Sequence, residues 1–254
     1  MMGNRSSFRR RNPQTRVAGL GRFSAALPRL AVIATLALGG LATTPAAFAN
    51  GKVPCAAKPP ETLVASLTKQ APGLKPDVLR LALNASDCAA KNGLVKKREL
   101  LTVIDYSLPS TQPRLWVFNV NSKQLLFNEL VAHGKNSGGY LTQFFSNRPG
   151  SLATSLGLFV TDSPYIGSNG YSLRLRGLDK GFNDRAWERA IVMHGASYVS
   201  SVTARALGRL GRSWGCPAVR PQVARKMIDT LKGGSPIFAY YPDSQWLGSS
   251  VYLR

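Results

Sequence analysis

The sequence predicts a mainly β fold that opens on a small helical segment and carries one further helix late in the chain. Three observations predict it. From Leu100 onward the apolar residues fall in short runs of strand length, punctuated by Gly, Pro, Asn and Ser. Between Lys58 and Gly93 they fall at helical spacing instead. The composition, 44% hydrophobic and 18% charged over 254 residues, supports a sizeable core and excludes a disordered, collagen-like or coiled-coil chain.

The first 49 residues hold seven arginines and no acid, then an apolar run from Leu30 to Leu41, and end in Ala47-Phe48-Ala49. A basic start, an apolar run too short to span a bilayer and small residues at an A-x-A site predict a secretory signal peptide over 1–49, cut after Ala49. The alternative is an uncleaved anchor, but Gly39, Gly40 and Pro45 interrupt the run before the roughly 20 apolar residues that a span needs. The expected organisation is therefore a signal peptide (1–49), a helical lead-in (50–99) and a β-rich domain (100–254). In the lead-in, Val64 and Leu67, then Val78, Leu79, Ala82, Leu83 and Cys88, line one face, broken by Pro72-Gly73 and ended by Asn92-Gly93.

Seven β-type runs follow: Leu101 to Tyr106, Arg114 to Val120, Leu125 to Ala132, Gly157 to Thr161, Tyr171 to Arg176, Ala190 to His194 and Ile237 to Tyr241. Residues 119–123 read as a hairpin turn, and 134–150 and 177–185 as loops. The late helix starts at Pro221, which suits a first turn, aligns Val223, Met227 and Leu231, and stops at Gly233-Gly234.

Lys and Arg total 33 against 12 Asp and Glu, a formal charge of +21, which points to an anionic partner. Removing the leader leaves 205 residues with 26 basic and 12 acidic side chains, still +14. Export puts peptidoglycan and anionic lipid within reach, with the membrane met only during export. Nucleic acid is not expected, because no interleaving of aromatic and basic residues marks a single-strand groove. A charged surface kept for solubility explains the balance equally well.

Two histidines and three cysteines exclude a multi-ligand zinc site, and no cofactor is expected. In an oxidising compartment the three cysteines leave one over. Pairing Cys55 with Cys88, with 32 residues between them, would staple the lead-in and leave Cys216 free.

Cys216 stands in Arg212-Ser213-Trp214-Gly215-Cys216-Pro217, and His194-Gly195 closes the run before it. A thiolate attacks a carbonyl, and an imidazole within reach takes the thiol proton and returns it to the leaving amine. Gly215 lets backbone approach a substrate, so the amides of Gly215 and Cys216 are candidates to face an oxyanion. Ser213 is a second candidate nucleophile there, with shaping the turn as its other role. The residues by themselves admit two readings, a Cys/His nucleophilic enzyme and a buried inert cysteine.

This stretch resembles the signature of the L,D-transpeptidase catalytic-domain family, the YkuD-type cell-wall enzymes: a His-Gly pair, then Ser-x-Gly-Cys about twenty residues later. A second match upstream is Thr154-Ser155-Leu156-Gly157-Leu158-Phe159, where the family often has Thr-Pro-x-Gly-x-Phe. The resemblance covers about residues 100–242. It implies a β-sandwich catalytic domain, Cys216 as nucleophile, His194 as base and the Gly195 carbonyl as the group orienting the imidazole. It further implies a peptidoglycan tetrapeptide stem as donor, attacked at the carbonyl of its third residue with loss of terminal D-alanine, and no cofactor. Three departures mark a divergent subgroup. Trp214 replaces a second histidine, Pro217-Ala218-Val219 replaces an apolar residue followed by Arg or Asn, and Thr154-Ser155 lacks the proline.

Substrate contacts are then expected from Arg220, Arg212 and Trp214. His133 is assigned either to the cleft or to a structural strand end. Arg174 and Arg176 are further carboxylate-binding candidates with solvated surface as the other reading, and Tyr140, Phe144 and Phe145 either cover the site or anchor their loop. Two rival functions stay open: a hydrolase using the same thioester with water as acceptor, and a non-catalytic basic wall-binding protein.

Overall fold

A computed structural model describes Cys55 and residues 58–254. The signal peptide expected over 1–49 lies outside the described residues. Helix α1 (Glu61–Thr68) buries Val64 and Leu67. Helix α2 (Pro76–Lys91) has Pro at its start, Asp77 in the first turn and Lys91 in the last, each placed to suit the helix dipole. The expected bridge between Cys55 and Cys88 is formed, with Cα atoms 4.9 Å apart. No helix among the described residues is long and apolar enough to cross a membrane.

Eight strands make one sheet: β1 (Leu100–Asp105), β2 (Leu115–Asn119), β3 (Gln124–Glu129), β4 (Gly157–Gly167), β5 (Gly170–Gly177), β6 (Val192–Gly195), β7 (Ala218–Val219) and β8 (Pro236–Tyr240). Their order is β3-β2-β1-β8-β4-β5-β6-β7. Pairing is antiparallel except for β1 with β8 and β6 with β7. Beyond β3 the chain curls back, and Ala132 N–H donates to Ala218 O at 2.9 Å. That bridge joins the two ends of the sheet, so the predicted mainly β class is realised as a sheet folded into a nearly closed sandwich.

Alternation along the strands divides the core in two. Leu101 and Val103 of β1 and Trp116 and Phe118 of β2 face α1, α2 and the C-terminal helix α5 (Ser244–Ser249). Leu100, Ile104, Leu115 and Val117 face helix α4 (Pro221–Leu231) and the β5 and β6 residues Leu173, Leu175, Val192 and Met193. Successive side chains on a strand point to opposite faces, so a central strand covered on both sides is apolar throughout; every residue of β1 is buried. Burying a side chain such as Phe118 contributes about 2–3 kcal/mol.

Four elements differ from the expectation, and helix α5 is one of them, since its six residues are too few to show an apolar period. β4 runs six residues past Thr161, because a bulge between Thr161 and Pro164 removes the need for the proline N–H. β7 has only two residues, too short for alternation to reveal. Helix α3 (Ser201–Leu207) is short but well bounded: Ser200 accepts from Thr203 N–H at 3.0 Å and Gly208 closes it at φ +63°.

Candidate active site

β6 delivers His194 and the edge strand β7 follows Cys216 directly. β7 pairs with β6 in parallel with His194 opposite Ala218, which brings the turn carrying Cys216 alongside the start of β6. His194 Nδ1 lies 3.0 Å from Gly195 O, which leaves Nε2 as the free ring nitrogen. The Cys216 Sγ lies 3.4 Å from Val192 N–H, which donates to it, and 3.7 Å from Ala190 O. Both partners belong to the segment that carries His194. Burial pushes the thiol above its ordinary range, with Val192 N–H and the Arg189 charge opposing that. Burial also lowers the His194 pKa, so both groups are neutral at rest.

The turn before Cys216 is organised by Ser213. Its Oγ donates to Cys216 O at 2.6 Å and accepts from Gly215 N–H at 3.1 Å. Gly215 has φ +120°, open only to glycine, and a β-carbon there would lie 2.7 Å from Ala153 O. The Gly215 amide, expected to be available to an oxyanion, is thus committed to Ser213. Trp214 projects outward, 72% exposed. Tyr140, Leu141 and Phe144 are exposed on the 134–145 loop, which Arg212 ties to this turn by donating to Lys135 O and Gly138 O, each at 3.0 Å. Phe145 instead anchors that loop, tilted against Tyr241 at 4.8 Å between centroids.

Two candidate substrate contacts are engaged inside the molecule. Arg220 meets the buried Glu129 through both Nε (2.7 Å) and Nη2 (2.6 Å). This bidentate pair ties the start of α4 to the end of β3 across the seam of the sheet, so the guanidinium is not open to a stem carboxylate. His133 is 1% exposed and does not reach the cleft surface. Its Nδ1 faces Arg114 Nη2 at 2.8 Å and its Nε2 faces Gly138 O at 3.3 Å, while its own carbonyl accepts from Ser213 N–H at 2.9 Å. An arginine only donates, so Nδ1 is the acceptor and the ring is held neutral with the proton on Nε2. Arg174 and Arg176 lie over the rings of Tyr165 and Trp187, and Arg176 also pairs with Asp162.

The His133 environment sets a pH dependence. Burial and the nearby Arg114 charge lower its pKa from 6.5 to about 4. Between these values the unfolded chain binds a proton that the folded chain refuses. Stability is therefore full above about pH 6.5 and falls by about 3 kcal/mol as the pH drops toward 4. Asp105 and Asp179, both raised by burial, act in the opposite sense near pH 4. Urea unfolding of the wild type against His133→Gln isolates the histidine: the variant should show a flatter profile between pH 6.5 and 4, and an unchanged slope rejects the assignment.

Two site residues escaped the sequence reading. Arg114, fully buried, donates to Val131 O, Leu108 O, Thr142 Oγ1 and His133. Arg189 lies beside Gly215. A lone arginine at a strand start or in a loop reads as solvated charge, and nothing local distinguishes either from the other basic residues. Among the described residues no cluster of three or more metal-ligating side chains exists.

The fold and site define a mainly β protein with a free thiol packed against the strand that carries a histidine. The family model for the L,D-transpeptidase catalytic domain matches residues 70–240, and the chain belongs to that family. The match begins at the residue after Lys69, ahead of α2, so it takes in part of the helical lead-in. Comparison with curated proteins finds no match. Among solved structures, an L,D-transpeptidase from Mycobacterium smegmatis is 17% identical, with 56% of this chain and 59% of that one covered and a TM-score of 0.36. L,D-transpeptidase 1 of Mycobacterium tuberculosis gives 17%, 56%, 62% and 0.33. The helical cell shape determining protein of Campylobacter jejuni gives 12%, 59%, 51% and 0.37. The chain thus spans about half to three fifths of the length of these relatives.

Proposed function

We propose that the chain is an exported L,D-transpeptidase that acts on peptidoglycan tetrapeptide stems through a thioester on Cys216. The observation that carries this reading is that Cys216, the one free cysteine among the described residues, packs its thiol against the strand that carries His194, whose Nδ1 is turned to Gly195 O. Cell-wall action and a location outside the cytoplasm follow from family membership and from the expected leader. The 40 residues from Arg189 to Ile228 add support: they contain both halves of the site, seven basic side chains and no acid, a favourable setting for an anionic stem.

In this reading His194 Nε2 takes the Cys216 proton as Sγ attacks the carbonyl of the third stem residue. Rotation about the Cys216 Cα–Cβ bond brings the thiol from Ala190 O to the imidazole, since catalytic hydrogen bonds often tighten only with substrate bound. The resulting oxyanion meets the Cys216 N–H, the Gly215 N–H being held by Ser213. Collapse breaks the C–N bond, and His194 returns the proton to the departing D-alanine amine. An amine of a neighbouring stem then attacks the thioester, regenerating the thiol. Arg212 and the exposed Trp214 are the substrate contacts at the rim, and Trp214 in place of histidine marks the divergent subgroup.

Intact-protein mass spectrometry after incubation with purified tetrapeptide muropeptides tests this. The wild type should gain a stem acyl adduct and release D-alanine, and Cys216→Ala should do neither. Cross-linked dimers among the products identify the transferase, and tripeptides alone identify a hydrolase. Adduct-free wild type that still binds sacculi in a salt-sensitive way would support the wall-binding reading instead.

A further inference from the structure

Arg189 is a half-buried cation with no carboxylate within salt-bridge distance among the described residues. Its Nη1 donates to Ser146 O (2.6 Å) and Ser155 Oγ (2.5 Å), and its Nη2 to Ala153 O (2.6 Å) and Ser151 Oγ (3.1 Å). These contacts fasten the 146–155 segment beside the catalytic turn. Nη2 also lies 3.3 Å from the point that a β-carbon on Gly215 would occupy, one residue from Cys216. The next residue, Ala190, is held in the left-handed region at φ +51°, and its carbonyl accepts from the Cys216 thiol. A non-glycine residue is strained in that conformation, and here the strained turn sets the guanidinium beside Gly215 and the carbonyl against the Cys216 thiol.

We propose that Arg189 is the positioning residue of the Cys216 thiol, its guanidinium holding the 146–155 segment over Gly215 and supplying the positive charge that favours the thiolate. The proposal rests on Cys216 being the nucleophile and adds the residue that activates it. The titratable groups around the thiol are Arg189 from the loop before β6, His194 on β6, Tyr106 after β1 and Tyr198 after β6. Burial raises both phenols, Tyr198 to about 12, and lowers the imidazole pKa. Arg189 is then the charged member of the set near neutral pH.

The test is the pH dependence of Cys216 alkylation by iodoacetamide in the full chain with the Cys55–Cys88 disulfide intact. Arg189→Gln should move the midpoint upward by about one pH unit, slowing alkylation about tenfold at a pH below both midpoints. Arg189→Lys keeps the charge and should stay within about threefold of the wild type. Wild-type behaviour in Arg189→Gln overturns the proposal, as does a shift in Arg189→Lys as large as in Arg189→Gln, which would mean that only packing matters. If Arg189→Gln loses the native circular-dichroism spectrum, Arg189→Lys alone decides, a retained midpoint supporting the proposal and a one-unit rise overturning it. Alkylation needs no substrate. A wild type that shows the Arg189 dependence yet forms no stem adduct therefore overturns the function and leaves this proposal standing.

Discussion

Arg114→Met should lower stability by about 3–5 kcal/mol, the range found when one member of a buried charged network is removed. The guanidinium is fully buried and spans four acceptors: Val131 O at 3.0 and 3.2 Å, Leu108 O at 2.8 Å, Thr142 Oγ1 at 3.1 Å and His133 Nδ1 at 2.8 Å. No carboxylate among the described residues lies within salt-bridge distance of it, and burial lowers its pKa to about 10, still protonated at neutral pH. Methionine fills the volume but leaves those acceptors without donors, each costing about 1–3 kcal/mol before relaxation. Lysine has one ammonium and cannot span sites fixed by a planar fork. Thermal unfolding should show a midpoint about 10 °C lower for Arg114→Met, with Arg114→Lys little better. A drop of 2 °C or less would mean that the carbonyls find other donors. The loss should reach the site as well, because His133 O holds Ser213 N–H and the 134–145 loop carries the exposed aromatic rim.

Gly215→Ala should slow acyl-adduct formation by at least about 100-fold. At φ +120° an L residue is strained wherever it sits, and here the added carbon also meets Ala153 O at 2.7 Å and Ile191 Cδ1 at 3.1 Å. The oxygen it meets is main chain and anchored by Arg189, so the clash cannot be relieved by a side-chain rotation. The turn must move instead, and a displacement of about 1 Å of a nucleophile costs about two orders of magnitude. Mass spectrometry of the adduct gives the rate, and thiol titration under denaturing conditions confirms that Cys216 is intact. A rate within tenfold of the wild type would show that the conformation of this turn is not what aligns Cys216.

The helix pattern over 58–93, the strand runs and the late helix at Pro221 were readable because each is a repeated apolar spacing of five residues or more. Cys216 and His194 were readable for a different reason: cysteine and histidine are scarce in this chain, and a disulfide between Cys55 and Cys88 left a single thiol to explain. β7 was not readable, since two residues carry no period. The sequence reads Arg220 outward, toward substrate, and His133 either toward the cleft or as a structural strand end, and both side chains meet partners inside the molecule, Glu129 and Arg114. Charge and residue type were correct there, and the partner was not, because each partner comes from a segment 91 or 19 residues away.

By itself the sequence determined the alternation that splits the core between two faces of a sheet, the reactive residue types, and the glycine that the turn before Cys216 requires. Those depend on covalent chemistry and on spacing along a few residues. Tertiary structure alone decided that the sheet curls until Ala132 meets Ala218, that the Cys216 thiol packs against the strand that carries His194, and that Arg114 and Arg189 leave the solvated surface to brace the turn before Cys216. The physical reason is that a buried guanidinium is stable only where several carbonyls converge on it, and convergence of that kind belongs to the folded chain and has no local signature.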